Sequence, residues 1–237
     1  MSIEKNVKAI KTQMAKAALA AGRDPNSVSL CAATKMNDAE SVRRAIKAGV
    51  DCCGENKVQE LTEKLAQNAY EGVPVHFIGH LQTNKVKFVV GKVALIQSVD
   101  SVRLLEAIQK QAAKIGCVQD VLLEVNIALQ DSKSGFPREE LHPVLEKIGT
   151  FPNIRVRGLM AIPPIVENST DNHNFFQEMC NLSVDITTKK YDNVRVDILS
   201  MGMSDDYVDA IACGSTMVRV GTAIFGRRNY VTTHSNE

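Results

Sequence analysis

Ser29-Leu30-Cys31-Ala32-Ala33-Thr34-Lys35-Met36-Asn37-Asp38 sets the pattern on which the fold turns. A short apolar run ends in an amine, and Asn37 or Asp38 can cap the helix-like segment that follows. This reads as a buried strand feeding a helix. Outward from it the same alternation repeats. Strand-like runs lie at 28–33, 50–54, 75–79, 94–99, 121–126, 155–161, 196–201 and 217–221. Helix-like segments lie near 38–48, 56–70, 83–90, 101–115, 138–149, 171–190 and 205–213. Strands that alternate with helices imply right-handed βαβ units and a parallel sheet. Eight of them predict a closed (β/α)8 TIM-like barrel, with a doubly wound open sheet as the alternative.

Residues 3–21 add an N-terminal helix, with Ile3, Val7, Ile10, Met14 and Ala18 on one face, Gly22 as its cap and Pro25 as a stop. Further caps are expected at Asp100 or Ser101 and at Ser204 or Asp205. Glu60–Lys64 and Glu106–Lys110 have the favourable i,i+4 order. No Gly-, Ser- or Pro-rich linker divides the chain, which predicts one domain over 1–230 and a polar tail over 231–237.

The 237 residues are 44% hydrophobic and 23% charged, enough for one large core that needs no disulfide or metal. A net charge of +1 gives no overall field for nucleic acid or membrane binding. No apolar stretch approaches the roughly 20 residues of a membrane span, and no signal peptide is read at the N-terminus. Cys31, Cys52, Cys53, Cys117, Cys180 and Cys213 form no C-x-x-C pair, and the adjacent Cys52-Cys53 is poor ligand spacing. They read as thiols of a cytoplasmic protein that act as small hydrophobes. The histidines form no H-x-x-x-H cluster, so no metal is expected.

Lys35 falls at the carboxyl end of the first strand, where α/β proteins build their sites. It is either a rim lysine in an ion pair or an amine that traps a carbonyl compound, and position alone does not choose. Asn56, in Gly54-Glu55-Asn56, can cap the next helix, and it also projects toward the same mouth. His80 is a minor candidate beyond the third strand. Leu199 through Ser204 and Val218 through Gly226 are Gly/Ser/Thr turns at the ends of strands seven and eight. That is the usual phosphate site of such barrels. Arg219 falls in a strand that should be buried, so it needs a carboxylate or a ligand as partner. Asp205-Asp206 reads as helix capping. Glu124-Val125-Asn126 and Lys133-Ser134-Gly135 flank another loop on the same face, with no role derivable from sequence.

An amine, a phosphate turn and a central arginine suit one ligand, pyridoxal 5′-phosphate (PLP). With Thr34-Lys35, Gly54-Glu55-Asn56, His76-Phe77-Ile78-Gly79, Lys133-Ser134-Gly135, Gly158-Leu159-Met160, Leu199 through Ser204 and Gly221 through Gly226, the chain resembles the PLP homeostasis protein family (the YggS/PROSC family). The resemblance covers about residues 5–230. That family is similar in turn to the barrel of fold-type III PLP enzymes such as alanine racemase. By this resemblance Lys35 carries the cofactor as a Schiff base, and Ser200, Gly221 and Thr222 hold the phosphate. Arg219 faces the pyridine nitrogen, Asn56 lies beside the ring, and His80, Met201 and Gly202 are secondary candidates. Val75 and Lys57 depart from the family's usual Trp and Tyr, and Lys57 offers a second amine near the mouth.

The resemblance implies a non-catalytic carrier that stores PLP and releases it to apoenzymes, as a cytoplasmic monomer. The alternative is an amino-acid racemase. Racemases of this fold take their second base, a tyrosine, from a further β domain, which is not read in this sequence. A phosphate-binding barrel without PLP is the third reading.

Overall fold

The structure, a computed structural model, describes residues 2–130, 133–163 and 169–226. Eight parallel strands close a barrel in sequence order: β1 (Ser29–Ala33), β2 (Cys52–Glu55), β3 (Val75–Phe77), β4 (Leu95–Val99), β5 (Gln119–Val125), β6 (Ile154–Ala161), β7 (Val194–Ser200) and β8 (Met217–Val220). The closing pair β8–β1 sets Arg219 opposite Cys31. The open sheet is thereby excluded.

The helices are α1 (Ile3–Ala20), α2 (Ala39–Lys47), α3 (Val58–Ala66), α4 (Val102–Ile115), α5 (Leu141–Ile148), α6 (Ser169–Lys189), α7 (Tyr207–Ala212) and the single turn α8 (Thr222–Phe225). Asp38 caps α2 through the Ser41 N–H at 2.7 Å, and Ser101 caps α4 through the Leu104 N–H at 3.3 Å. Both caps fall where the sequence places them. α1 buries Val7, Ile10, Met14 and Ala18, and Gly22 follows it at a φ of 69°.

Several boundaries differ from the sequence reading. Thr83–Phe88 is a 3-10 helix rather than an α-helix, cut short before Gly91. α3 spans Val58–Ala66 rather than 56–70. Glu106 reaches across to Lys147 at 2.9 Å rather than along its own helix to Lys110. The tail over 231–237 lies outside the described residues. No helix among the described residues is long and apolar enough to cross a membrane.

Alternation along each strand sorts two cores. Outward residues such as Leu30, Cys53, Phe77, Ile96, Leu123 and Val218 join the helices in the large core. Inward residues make smaller clusters, one of Cys31, Cys52 and Met217 and another of Leu95, Leu122 and Met160. Between them the interior is polar: His76, Gln97, Ser200 and Arg219 are all buried.

Candidate functional site

Lys35 stands one residue past β1, after Thr34, and the turn that carries it is tied on several sides. The Thr34 N–H donates to Gly54 O at 2.9 Å, and its hydroxyl donates to Glu55 Oε1 at 2.6 Å. Lys64 Nζ donates to Thr34 O at 2.8 Å and meets the same Glu55 oxygen at 2.5 Å. The Tyr70 hydroxyl donates to that oxygen at 3.0 Å. Met36 has a φ of 61°, a left-handed conformation uncommon for a residue with a side chain. It is held there by Glu60 Oε2, which accepts the Met36 N–H at 2.5 Å. Asn37 Nδ2 donates to Lys35 O at 3.1 Å. The expected Glu60–Lys64 pair forms at 3.5 Å and joins this network.

Lys35 lines a cavity of about 300 Å³ at the carboxyl mouth of the barrel, together with Asn37, Ser204, Arg219, Gly221 and Thr222. That volume is at the lower end for small-molecule sites. The Gly221 and Ala223 N–H groups both donate to Ser204 Oγ at 3.3 Å. One wall therefore gathers two hydroxyls and turn amides, the donor set an anion needs.

Arg219 is buried, and neutral protein oxygens receive it; of the two partners the sequence allows, a carboxylate or a ligand, no carboxylate among the described residues is hydrogen-bonded to it. It donates to Ser200 O at 2.9 Å, to Ser200 Oγ at 2.6 Å and to Ala161 O at 2.9 Å. Burial lowers its pKa, but guanidinium remains a cation and a donor only.

A second cavity of about 250 Å³ adjoins the mouth and is lined by Asn56, His80, Glu124, Asn126, Lys133 and Ser134 among others. Asn56 does not cap α3, because the residue before that helix is Lys57. Its Oδ1 is instead buried without a hydrogen-bond partner. Gly79 lets the Asn56 backbone come close, since a Cβ there would collide with the Asn56 carbonyl. His80 is largely exposed, and its Nδ1 lies 3.0 Å from Asp100 Oδ2. Burial pushes the Glu124 carboxyl up to about 7, and the charge of Asp100 adds to the shift.

The sequence-predicted residues therefore divide. Lys35, Arg219, Gly221 and Thr222 share the first cavity, while Asn56 and His80 line the second. Ser200, Met201 and Gly202 line neither. The Ser200 hydroxyl sits beneath Arg219 and donates to Gln97 Oε1 at 2.7 Å. Met201 is in the outer core. Gly202 has a φ of 92° and lies where a Cβ would stand 3.0 Å from Tyr207 Cα, so it serves the close approach of α7. Lys57 is exposed and lines neither cavity. Asp206 accepts the Met203 N–H at 2.6 Å and closes the turn ahead of α7 rather than bonding within the helix's first turn. Ser204 is the site residue that the sequence reading missed. It lies in the Leu199–Ser204 turn that the sequence offers to a phosphate, but the sequence marks it neither as an individual site residue nor as the acceptor of the Gly221 and Ala223 N–H groups.

Below Arg219 the polar chain continues. Gln97 Nε2 lies 2.9 Å from His76 Nδ1, and His76 stands beside Cys31 and Cys52. Cys31 is held below the ordinary thiol range, chiefly by the Cys52 thiol that donates to it, and Cys52 is raised in turn. All six cysteines are free.

Comparison with known proteins places this architecture. The family "Alanine racemase, N-terminal domain" matches residues 2–229. The pyridoxal phosphate homeostasis protein of Aquifex aeolicus is 43% identical over 215 residues, covering 91% of this chain and 93% of that one. Its counterpart in Haemophilus influenzae is 37% identical over 237 residues, covering 99% and 100%. PipY of Synechococcus elongatus, solved with PLP bound, is 30% identical with a TM-score of 0.84, over 95% of this chain and all of that one. The chain belongs to the pyridoxal phosphate homeostasis protein family.

Two outcomes follow from this geometry. Lys64→Ala leaves Glu55 buried without its cation and should cost about 3–5 kcal/mol in urea unfolding. The Glu124 carboxyl, raised in the fold to about 7, contributes stability that is present below its unfolded value of about 4.3 and is lost as pH rises through 7. Glu124→Gln should therefore gain about 3–4 kcal/mol over the parent chain between pH 4 and 8, read from unfolding curves at both.

Proposed function

We propose, from this family membership and the geometry of the mouth, that the chain binds PLP and serves its storage, carriage and release, with Lys35 as the covalent anchor. One observation carries this reading. A single cavity of about 300 Å³ holds an amine, a guanidinium and a turn of hydroxyls and amides. The cofactor supplies an aldehyde that an amine captures. Lys35 is the amine among the residues lining that cavity, and its turn is fixed by Glu60, Lys64 and Asn37. The Ser204 and Thr222 hydroxyls can donate to the phosphate, and the Gly221 N–H, which now donates to Ser204 Oγ at 3.3 Å, can turn to it as well. The partnerless Asn56 Oδ1 is a buried polar atom that a ligand group in the mouth would satisfy.

Arg219 supports holding over catalysis. A donor-only guanidinium cannot take a proton from a ring nitrogen or give one up readily, so it favours the unprotonated ring and a weaker electron sink. The tyrosines do not supply an opposing base from their observed positions. Tyr70 donates to Glu55, Tyr191 pairs with His142 and Tyr207 with Gln13, and none of the three lines either mouth cavity. Tyr230 lies outside the described residues. We further infer a cytoplasmic monomer that hands PLP to apoenzymes. Light scattering of the purified chain tests the first part. Transfer to an apoenzyme with a scavenger of free PLP present tests the second.

The anchor is tested by incubating the chain with PLP, reducing with borohydride and mapping peptides by mass. One adduct, on Lys35, is expected, and Lys35→Ala should lose both the adduct and the visible absorbance. Equal labelling of another lysine in the unaltered chain would sink the assignment. Exchange of the α-hydrogen of alanine in deuterated water at enzyme-like turnover would overturn the carrier reading. Ser204→Ala and Thr222→Ala should each weaken PLP binding about tenfold, the worth of one charge-assisted hydrogen bond, read by absorbance titration.

A further inference from the structure

The barrel interior carries a second constellation of chemistry-bearing groups, separate from the mouth. Cys31 on β1, Cys52 on β2 and His76 on β3 each offer one ligand atom, and these atoms all lie within 4.8 Å of one another. All three residues are buried. Strand register brings them together: Cys31 pairs with Cys52, and Gly54, two residues further along β2, pairs with His76. Met217 of β8 packs on the two thiols. Its Sδ lies 3.2 Å from Gln97 Nε2, the same nitrogen that reaches His76 Nδ1 at 2.9 Å. Two thiols, an imidazole and a thioether thus face one another in an enclosed space.

We propose that Cys31, Cys52 and His76 form a binding site for a thiophilic d10 cation, Zn²⁺ in the first instance, with Met217 on its fourth side. The donors are soft, and no carboxylate belongs to the cluster, which sets the site against Mg²⁺ and Ca²⁺. Zn–S bonds of about 2.3 Å and Zn–N bonds of about 2.0 Å in a tetrahedron put donor atoms about 3.5–3.8 Å apart. The observed limit of 4.8 Å is close enough for side-chain rotation to close the shell. Two thiolates neutralise Zn²⁺, so the centre adds no net charge to an interior that already holds Arg219. Binding displaces the two thiol protons to solvent as the metal enters.

The surroundings also supply what a ligating histidine needs. Gln97 is fixed by the Ser200 hydroxyl at 2.7 Å and lies against the imidazole. When one ring nitrogen takes the metal, the other must donate its hydrogen. Gln97 can turn its amide to accept it, because the Ser200 hydroxyl is able to donate or accept. Packing alone accounts for buried cysteines as small hydrophobes. It does not account for an imidazole and its oriented amide converging on the same two thiols.

The test uses the full chain, reduced and free of PLP, so its outcome is independent of the proposed cofactor function. Refolding with Co²⁺ should give a thiolate-to-cobalt charge-transfer band that Zn²⁺ abolishes. After gel filtration, elemental analysis should find about one Zn²⁺ per chain, the stoichiometry of a closed structural site. Cys31→Ala and Cys52→Ala should each lower retention at least tenfold, Gln97→Ala about tenfold, and Cys117→Ser should leave it unchanged. Should an interior variant fail to fold, as judged by circular dichroism, the cobalt spectrum of the unaltered chain decides alone. Absence of that band, or full Zn²⁺ retention in a folded Cys31→Ala/Cys52→Ala variant, would overturn the proposal.

Discussion

A guanidinium enclosed by a β-barrel is the constraint that organises this molecule. Arg219 enters the interior because β8 alternates inward at that position and closes on β1 opposite Cys31. Burying such a cation without hydrogen bonds is prohibitive. The barrel answers with three acceptors, two from Ser200 on β7 and one from the carbonyl of Ala161 on β6. Those bonds reach across strands that share a single registered pair at β7–β8. The polarity then propagates. Ser200 accepts from Arg219 and its hydroxyl donates in turn to Gln97 Oε1, and Gln97 lies against His76. The middle of the interior is thereby committed to hydrogen bonding, while the inward clusters on either side, Leu95, Leu122 and Met160 and Cys31, Cys52 and Met217, pack as apolar residues do in most such barrels.

The turn at Lys35 depends on a second buried charge system, and its use is orientation more than stability. An ion pair such as Lys64–Glu55 contributes little net stability over an apolar pair of equal size. What it does here is satisfy Thr34 O and the Thr34 hydroxyl at once. Glu60 adds a bond to the N–H of Met36. Each of these bonds acts on a residue flanking Lys35. The left-handed step at Met36 persists because the neighbours over-determine it. α3 and β2 thus aim an amine that stands just past the end of β1.

Most of the architecture was legible because parallel barrel strands are covered on both faces and read as continuous apolar runs. The site was legible only where local sequence dictates placement. Lys35 and the Gly221-Thr222 turn stand at strand ends, so their position at the mouth needed nothing beyond strand counting. The two serines of Leu199 through Ser204 show where that stops. Ser200 is the last residue of β7 and points inward, while Ser204 stands past the strand in the turn. Residue type and spacing do not separate them; the strand boundary does. For Asn56 the sequence offers both a cap and a place at the mouth, since asparagine favours caps; α3 starts one residue later, so the mouth reading holds and the cap does not. The thiol–imidazole cluster was illegible for a different reason. Ligand-spacing rules describe loops and single helices, whereas here the neighbours are set by the register of three parallel strands.

What an amine in such a mouth does with a captured aldehyde depends on the groups that face it. A carboxylate beside the ring nitrogen would share its proton and draw electrons into the ring. In the proposed site that place falls to Arg219, locked by three oxygens that leave it little freedom to move. Replacing it with a carboxylate would set a negative charge against Ser200 O and Ala161 O, which accept hydrogen bonds and cannot donate. The barrel interior is therefore built around a donor at this point. The same bonds that make the fold tolerate Arg219 also bar the simplest route from a holding site to a reacting one.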